Sequence, residues 1–277
     1  MDHLRAVVIG AGEMANRVHY PCLSSFDDVE IAAVCDLDCL NQGCNLYIEK
    51  PPGITLHQAE MLAYLADEQR VVTQVSFQRR SSPLLQKARQ LCLDRGPIVH
   101  AVCEFYKFAP APLTAAGDHM MDDGIHSIDT LRWACGGEVA NVDSFCRRVG
   151  TPDINWVAAT LCFDNGSVGV LVNSWCSGRR LFRVELHAPG VFADVDPERD
   201  ARVYLEGDTM GDAYTASDVA GSDEPWVFGG FRAKHREFVD SILTGVDSTS
   251  SPFRDAVKTM ELAETVLARP LFGRQSS

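Results

Sequence analysis

The sequence predicts an α/β unit followed by an α+β unit. Three observations predict it. The chain has 277 residues, enough for two domains. Its front alternates short apolar runs with helical stretches, beginning with the run at 6–9. From about Pro97 the pattern changes to long alternating strands broken by turn residues. The expected division is therefore 1–96 and 97–251, with a last helix at 252–269 returning to complete the first part. Composition bounds the class further. Hydrophobic residues make up 46% and charged residues 23%, which are globular values. A net charge of −13 gives no electrostatic attraction to DNA, RNA or an anionic membrane. No run of about 18 apolar residues exists to span a bilayer. The chain enters its first apolar run with no leader-like segment, so a cytoplasmic protein is expected. Ten scattered cysteines form no C-x-x-C pair. They are expected to be reduced thiols packed as small hydrophobes, and no metal site is expected.

The first part opens with a buried-strand run at 6–9. Gly10-Ala11-Gly12-Glu13-Met14-Ala15 follows, a G-x-G-x-x-A pattern. A helix is expected from about Glu13 to Ser24, then a second strand at 30–35 ending in Asp36. Strand, glycine turn, helix, strand and acid in this order form the fingerprint of a Rossmann-like dinucleotide-binding unit. Gly10 would make the tight turn. Gly12 would let a pyrophosphate approach the backbone at a helix N-terminus, and Ala15 would keep the helix close to the sheet. Asp36 would accept hydrogen bonds from a ribose diol and repel a 2′-phosphate, which favours NAD without excluding NADP. The unit is then cut short. Only positions 37–45 lead to the next strand at 46–49, and a parallel crossover needs about 10–12 residues. Either the second strand pairs differently, or the strand at 46–49 is antiparallel or displaced.

The second part reads as strands at 98–108, 139–149, 156–163, 168–175, 181–187 and 201–205. A helix at 124–135 interrupts them. Asp164-Asn165-Gly166 is a hairpin turn, because Asn-Gly tolerates positive φ. Such runs make a mostly antiparallel sheet with helices on one face. The polar, acidic stretch at 207–225 reads as a long mobile loop. An amphipathic helix is expected at 231–243.

Four motifs carry a resemblance over most of the chain. Glu49-Lys50-Pro51-Pro52-Gly53 closes the strand at 46–49. Gln78-Arg79-Arg80-Ser81-Ser82-Pro83 follows the next strand, at 71–77. Asp122-Asp123-Gly124-Ile125-His126-Ser127-Ile128-Asp129 opens a helix, and a helix at 252–269 closes the chain. The set resembles the Gfo/Idh/MocA oxidoreductases, a family of sugar, inositol and related polyol dehydrogenases and reductases with E-K-P and D-x-G-x-H-x-x-D motifs. The resemblance implies hydride transfer between NAD(P) and a secondary alcohol or carbonyl of a sugar or cyclic polyol. It implies catalytic roles for Lys50, Asp122 and His126. Gly10, Gly12, Ala15, Asp36, Glu49, Lys50, Gln78 and Arg79 would contact the cofactor. Lys50, Arg79, Asp122, Asp123 and His126 would contact the substrate. The open face of the second sheet would be a homo-oligomer surface. One departure is plain. Family members carry two more β/α units after the position of Asp36, about 50 residues that this chain lacks.

The residues themselves suggest the same chemistry. Oxidising an alcohol needs a base for the hydroxyl proton and a charge to stabilise the alkoxide. Lys50 ends a strand before two rigid prolines, and lysines are scarce in this chain. Asp122 and His126 stand four apart, which on an α-helix puts both on one face. A carboxylate beside the imidazole would raise the histidine pKa and orient the ring. Arg179 and Arg180 are expected to be surface charges. Two functions compete. One is an NAD-dependent oxidoreductase. The other is a catalytically inactive relative that binds a ligand or partner, because its cofactor unit is incomplete.

Overall fold

A computed structural model describes residues 4–8, 13–34, 43–109 and 118–272. Gly10, Gly12 and Asp36 lie outside the described residues, and with them the turn and acid of the fingerprint.

Strands β1 (Leu4–Val8) and β2 (Val29–Val34) pair in parallel, Leu4 opposite Val29, with a register shift between Ala6 and Val7. A π-helical turn, Ala15–His19, runs between them into α1 (Tyr20–Ser24). Pro21 explains the widened coil, since it has no N–H to return to the carbonyl one α-turn earlier. Ala15, Val18 and Cys22 face inward, as the spacing of small and apolar residues requires.

A second parallel pair, β3 (Leu46–Ile48) and β4 (Thr73–Val75), flanks α2 (Leu56–Gln69). Thr55 and Gln58 form a reciprocal capping box at the start of α2, and Arg70 ends it at φ 54°. The two pairs are separate sheets. The short link after β2 thus leaves β3 displaced from it, and β3 takes β4 as its neighbour. A buried 3₁₀ turn, Gln78–Ser81, follows and hands over to α3 (Pro83–Leu93). Proline suits that first helical turn because its missing N–H needs no partner there.

The larger sheet comprises β5 (His100–Phe108), β6 (Val139–Arg147), β7 (Trp156–Phe163), β8 (Val168–Ser174), β9 (Cys176–Ala188), β10 (Val191–Asp196), β11 (Asp200–Leu205) and β12 (Asp212–Thr215). Their order is β12-β11-β10-β9-β5-β8-β7-β6, and only β5 and β8 run parallel. Every second residue of β7 is buried, including Val157, Ala159 and Leu161. That period of two faces the helices α3 and α4 (Ile125–Cys135), which cover one side of the sheet. Gly166 takes φ 85° in the β7–β8 hairpin, as its Asn-Gly turn requires.

The stretch at 207–225 is not the mobile loop its composition suggests. It contains β12 and α5 (Ala216–Ala220), and Pro225 opens α6 (Pro225–Phe228). Its polar residues are caps: Thr215 accepts from the Asp218 N–H. Strand β10 went unrecognised because Gly190, at φ 70°, folds it back on β9 within a single turn. Helices α7 (Phe231–Thr244) and α8 (Phe253–Phe272) close the chain. Helix α8 packs against α2 and β4 on one side and α4 and β6 on the other. One apolar cluster runs from α2 and β4 through the large sheet to α8, and the buried Ala15, Val18, Cys22 and Phe26 lie outside it.

Candidate active site

The end of β3, the 3₁₀ turn and the start of α4 converge. Lys50 stands two residues beyond β3 and is joined to Pro51 by a cis peptide bond. Its Nζ donates to the backbone carbonyl of Asp122. Asp122 and Asp123 lie in a π-helical turn, Met120–Gly124, that leads into α4. Gly124 sits under Met120, Asn173 and Trp175, where an added Cβ would come within 2.6 Å of the Met120 sulfur. His126 is in the first turn of α4, buried, with Phe77 edge-on at 6.2 Å.

The electrostatics of His126 differ from the sequence expectation. Burial pushes its pKa well below the usual histidine value, and Lys50, Arg79, Lys107 and Arg180 push it further the same way. The expected rise from Asp122 is overturned. The turn before α4 is π-helical, so the α-helical one-face argument does not apply there. Asp122 contributes its carbonyl to Lys50, and Asp123 pairs with Lys107 at 2.5 Å. His126 is therefore neutral at pH 7, and its Nδ1 has no hydrogen-bond partner among the described residues.

Gln78 and Arg79 are buried in the 3₁₀ turn. The Arg79 guanidinium lies 3.8 Å over the Phe182 ring and reaches Glu198 at 3.0 Å. Its Nε has no hydrogen-bond partner among the described residues. Burial would raise the Glu198 carboxyl, but Arg180 and Arg79 hold it down at about 2. Arg180, expected as a surface charge, is half exposed and pairs with Glu198 at 2.5 Å. Lys107 and Glu198 were missed from the sequence. Neither belongs to a motif, and both arrive from the large sheet and its β10–β11 turn.

Beneath the site, the Arg80 guanidinium grips Asp129 with two nitrogens, Nε at 2.7 Å, and also reaches Asp255. Asp129, the last residue of the D-x-G-x-H-x-x-D pattern, thus fixes α4 to the turn that carries Gln78 and Arg79. Glu49 meets His19 at 2.9 Å. Ala15 is buried at the start of the first helical segment. No group of three or more metal-ligating side chains is found among the described residues.

A short parallel α/β unit against a large mixed sheet, with the site at their junction, is the two-part architecture of known dehydrogenase structures. The chain matches a dehydrogenase from Chromobacterium violaceum with TM-score 0.85 at 17% identity, over 97% of this chain and 95% of that one. It matches GenD2 from gentamicin A biosynthesis, solved with NAD, with TM-score 0.77 at 19% identity, over 99% and 96%. Residues 86–189 match the model of the GFO/IDH/MocA C-terminal domain. The chain is 26% identical over 141 residues to scyllo-inositol 2-dehydrogenase (NAD(+)) of Bacillus subtilis, covering 46% of this chain and 40% of that protein. It is 27% identical over 138 residues to the rhizopine catabolism protein MocA of Rhizobium meliloti, covering 47% and 43%. Residues 86–189 are thus similar to the C-terminal domain of the Gfo/Idh/MocA family. The chain spans about two fifths of the length of these curated relatives.

Proposed function

We propose that this protein is an oxidoreductase that transfers a hydride between NAD(P) and a secondary alcohol or carbonyl of a sugar or cyclic polyol. The observation that carries this reading is the Lys50 ammonium, anchored on the Asp122 carbonyl and close enough that its charge helps keep the buried His126 neutral. The match of residues 86–189 to the family's C-terminal domain and a relative named as an inositol dehydrogenase support it. The proposed parts are 1–96, completed by 252–269, and 97–251.

The residues fit the nicotinamide end of the cofactor. His126 Nδ1 and Arg79 Nε are buried polar atoms without partners among the described residues, suited to a polar group bound against them. Lys50, Gln78 and Arg79 would hold that end, and Gly10, Gly12, Ala15 and Asp36 the dinucleotide. When bound, the nicotinamide supplies the hydride acceptor at C4. His126 would take the hydroxyl proton, which its neutral state permits at pH 7. The Lys50 ammonium would stabilise the developing alkoxide. Asp122 would hold Lys50 in place through its carbonyl, and Asp123 with Lys107 would face the substrate hydroxyls. The open sheet face is proposed as a surface between copies of the chain.

One observation favours a second reading, an inactive relative that binds a ligand or partner. Among the described residues, β1–β2 and β3–β4 form two separate parallel pairs, whereas a dinucleotide floor is normally one continuous sheet. Calorimetric titration with NADH separates the two. A one-to-one heat with Kd in the ~micromolar range supports the oxidoreductase. No heat up to ~millimolar NADH, in a protein that melts cooperatively, would leave the inactive relative standing.

A further inference from the structure

Three side chains link the first helical segment to the rest of the molecule, and their protons can be counted. His235 Nδ1 lies 2.8 Å from the Phe231 carbonyl. A carbonyl only accepts, so Nδ1 carries a proton. Burial, and then the neighbouring His19, push the His235 pKa down to about 4, so the ring is neutral at pH 7 and its Nε2 holds a lone pair. His19 Nδ1 lies 3.1 Å from that Nε2 and must donate to it. His19 Nε2 lies 2.9 Å from Glu49 Oε1. Burial would raise the Glu49 carboxyl, but the hydrogen bond and charge of His19 outweigh it, with help from Ser76 and Lys50, and the net pKa is lowered. An ionised carboxylate also only accepts. Every contact is satisfied only when both His19 nitrogens carry protons.

We propose that His19 is held as an imidazolium and is a positioning residue for Lys50, acting through Glu49. The second half of this statement rests on the oxidoreductase reading. The geometry gives it a task. His19 ends the π-helical turn that follows the glycine motif, and Glu49 directly precedes Lys50. The ion pair joins the segment that would bear the pyrophosphate to the strand end that bears the lysine. Aromatic rings shield it. Tyr47 stacks on His235 at 4.3 Å, Phe231 lies edge-on to His19 at 6.4 Å, and Phe238 lies edge-on to Tyr47 at 5.8 Å. The titratable and charged groups that face the link are Glu49, Lys50 and Tyr47 from the β3 strand, His235 and Glu237 from α7, and Cys22 and Arg232 nearby. Burial keeps Tyr47 and Cys22 neutral at pH 7. Removing either His19 proton would set a lone pair against the Glu49 carboxylate or against the His235 Nε2 lone pair, and so break one of the two bonds.

The test is nitrogen-15 NMR of the histidine-labelled full chain at pH 7, with His19→Gln and His235→Phe assigning the signals. The expected result is a His19 ring protonated at both nitrogens and a His235 ring protonated at Nδ1 alone. In Glu49→Gln, whose amide can donate to Nε2, His19 should keep a single proton. A bare His19 Nε2 in the unaltered chain, or His235 protonated at Nε2 instead, would overturn the imidazolium. With NADH as probe, His19→Gln should weaken binding about tenfold, the loss of one charged hydrogen bond. Unchanged binding in that variant overturns the positioning role. A failure of the unaltered chain to bind NADH would remove the oxidoreductase reading and with it the positioning role, and leave the NMR result to decide the imidazolium alone.

Discussion

His126 shows how one residue takes its chemistry from its surroundings. Burial and four neighbouring cations keep it neutral, the state a general base needs. If it is the base, kcat/KM should stay level from pH 8 down to pH 6, since its protonation falls below the ordinary histidine range. A pH–rate profile checks this, and an acid limb centred near 6.5 would contradict it. His126→Asn should lower kcat by about 10²–10⁴-fold. The buried histidines also predict acid sensitivity. His235 has a folded pKa of about 4, below its unfolded value, so the folded state binds the proton less readily. The stability from keeping it neutral is complete above about pH 6.5 and is lost as pH falls toward 4. That amounts to roughly 3 kcal/mol, to be read from urea melts at pH 7 and pH 4.5.

Among the elements, the 3₁₀ turn Gln78–Ser81 is pinned from two sides. Gly230 presses on it from the start of α7, with φ 90°, and an added Cβ would lie 2.3 Å from the Gln78 carbonyl oxygen. Backbone cannot yield there as a flexible side chain could. Gly230→Ala should cost about 2–4 kcal/mol and displace Gln78 and Arg79, so that cofactor affinity falls along with the urea midpoint. From the other side, Arg80 holds Asp129 in α4. Both groups are buried, and burial penalises an unpaired charge heavily. Asp129→Leu should therefore cost about 3–5 kcal/mol, and pairing it with Arg80→Met should recover part of the loss. No recovery would mean that Asp255 and Arg132, which share the network, need Arg80 as well.

At the scale of the whole molecule, the two parallel pairs stand apart while the eight-stranded sheet is complete. The outer side of α2 bears the consequence. An apolar groove of about 750 Å³ runs between Pro51–Ile54 and the helix, with Ile54, Met61 and Tyr64 exposed along the same stretch. A complete sheet flanked by helices would normally cover such a face. Met61→Lys on this face should leave the melting temperature within a few degrees and improve solubility, as light scattering on heating would show. A large loss of stability would mean that the face is packed in solution.

The architecture was legible where local pattern decides it. Alternating apolar residues mark β7, and Asn-Gly marks its hairpin. The crowding between Asp36 and the strand at 46–49 announced that the first unit would not close, because chain length alone forbids the crossover. Lys50, and separately Asp122 with His126, could be nominated from the sequence because each stands in a short local motif. Composition misled at 207–225, where polar residues are caps and edge-strand positions. What only the tertiary structure decided is electrostatic. Lys107, Arg180 and Glu198 reach the site from the large sheet, and His19 meets Glu49 and His235 across three elements. Charge interactions depend on distance in space and on burial, and neither is written in the order of residues.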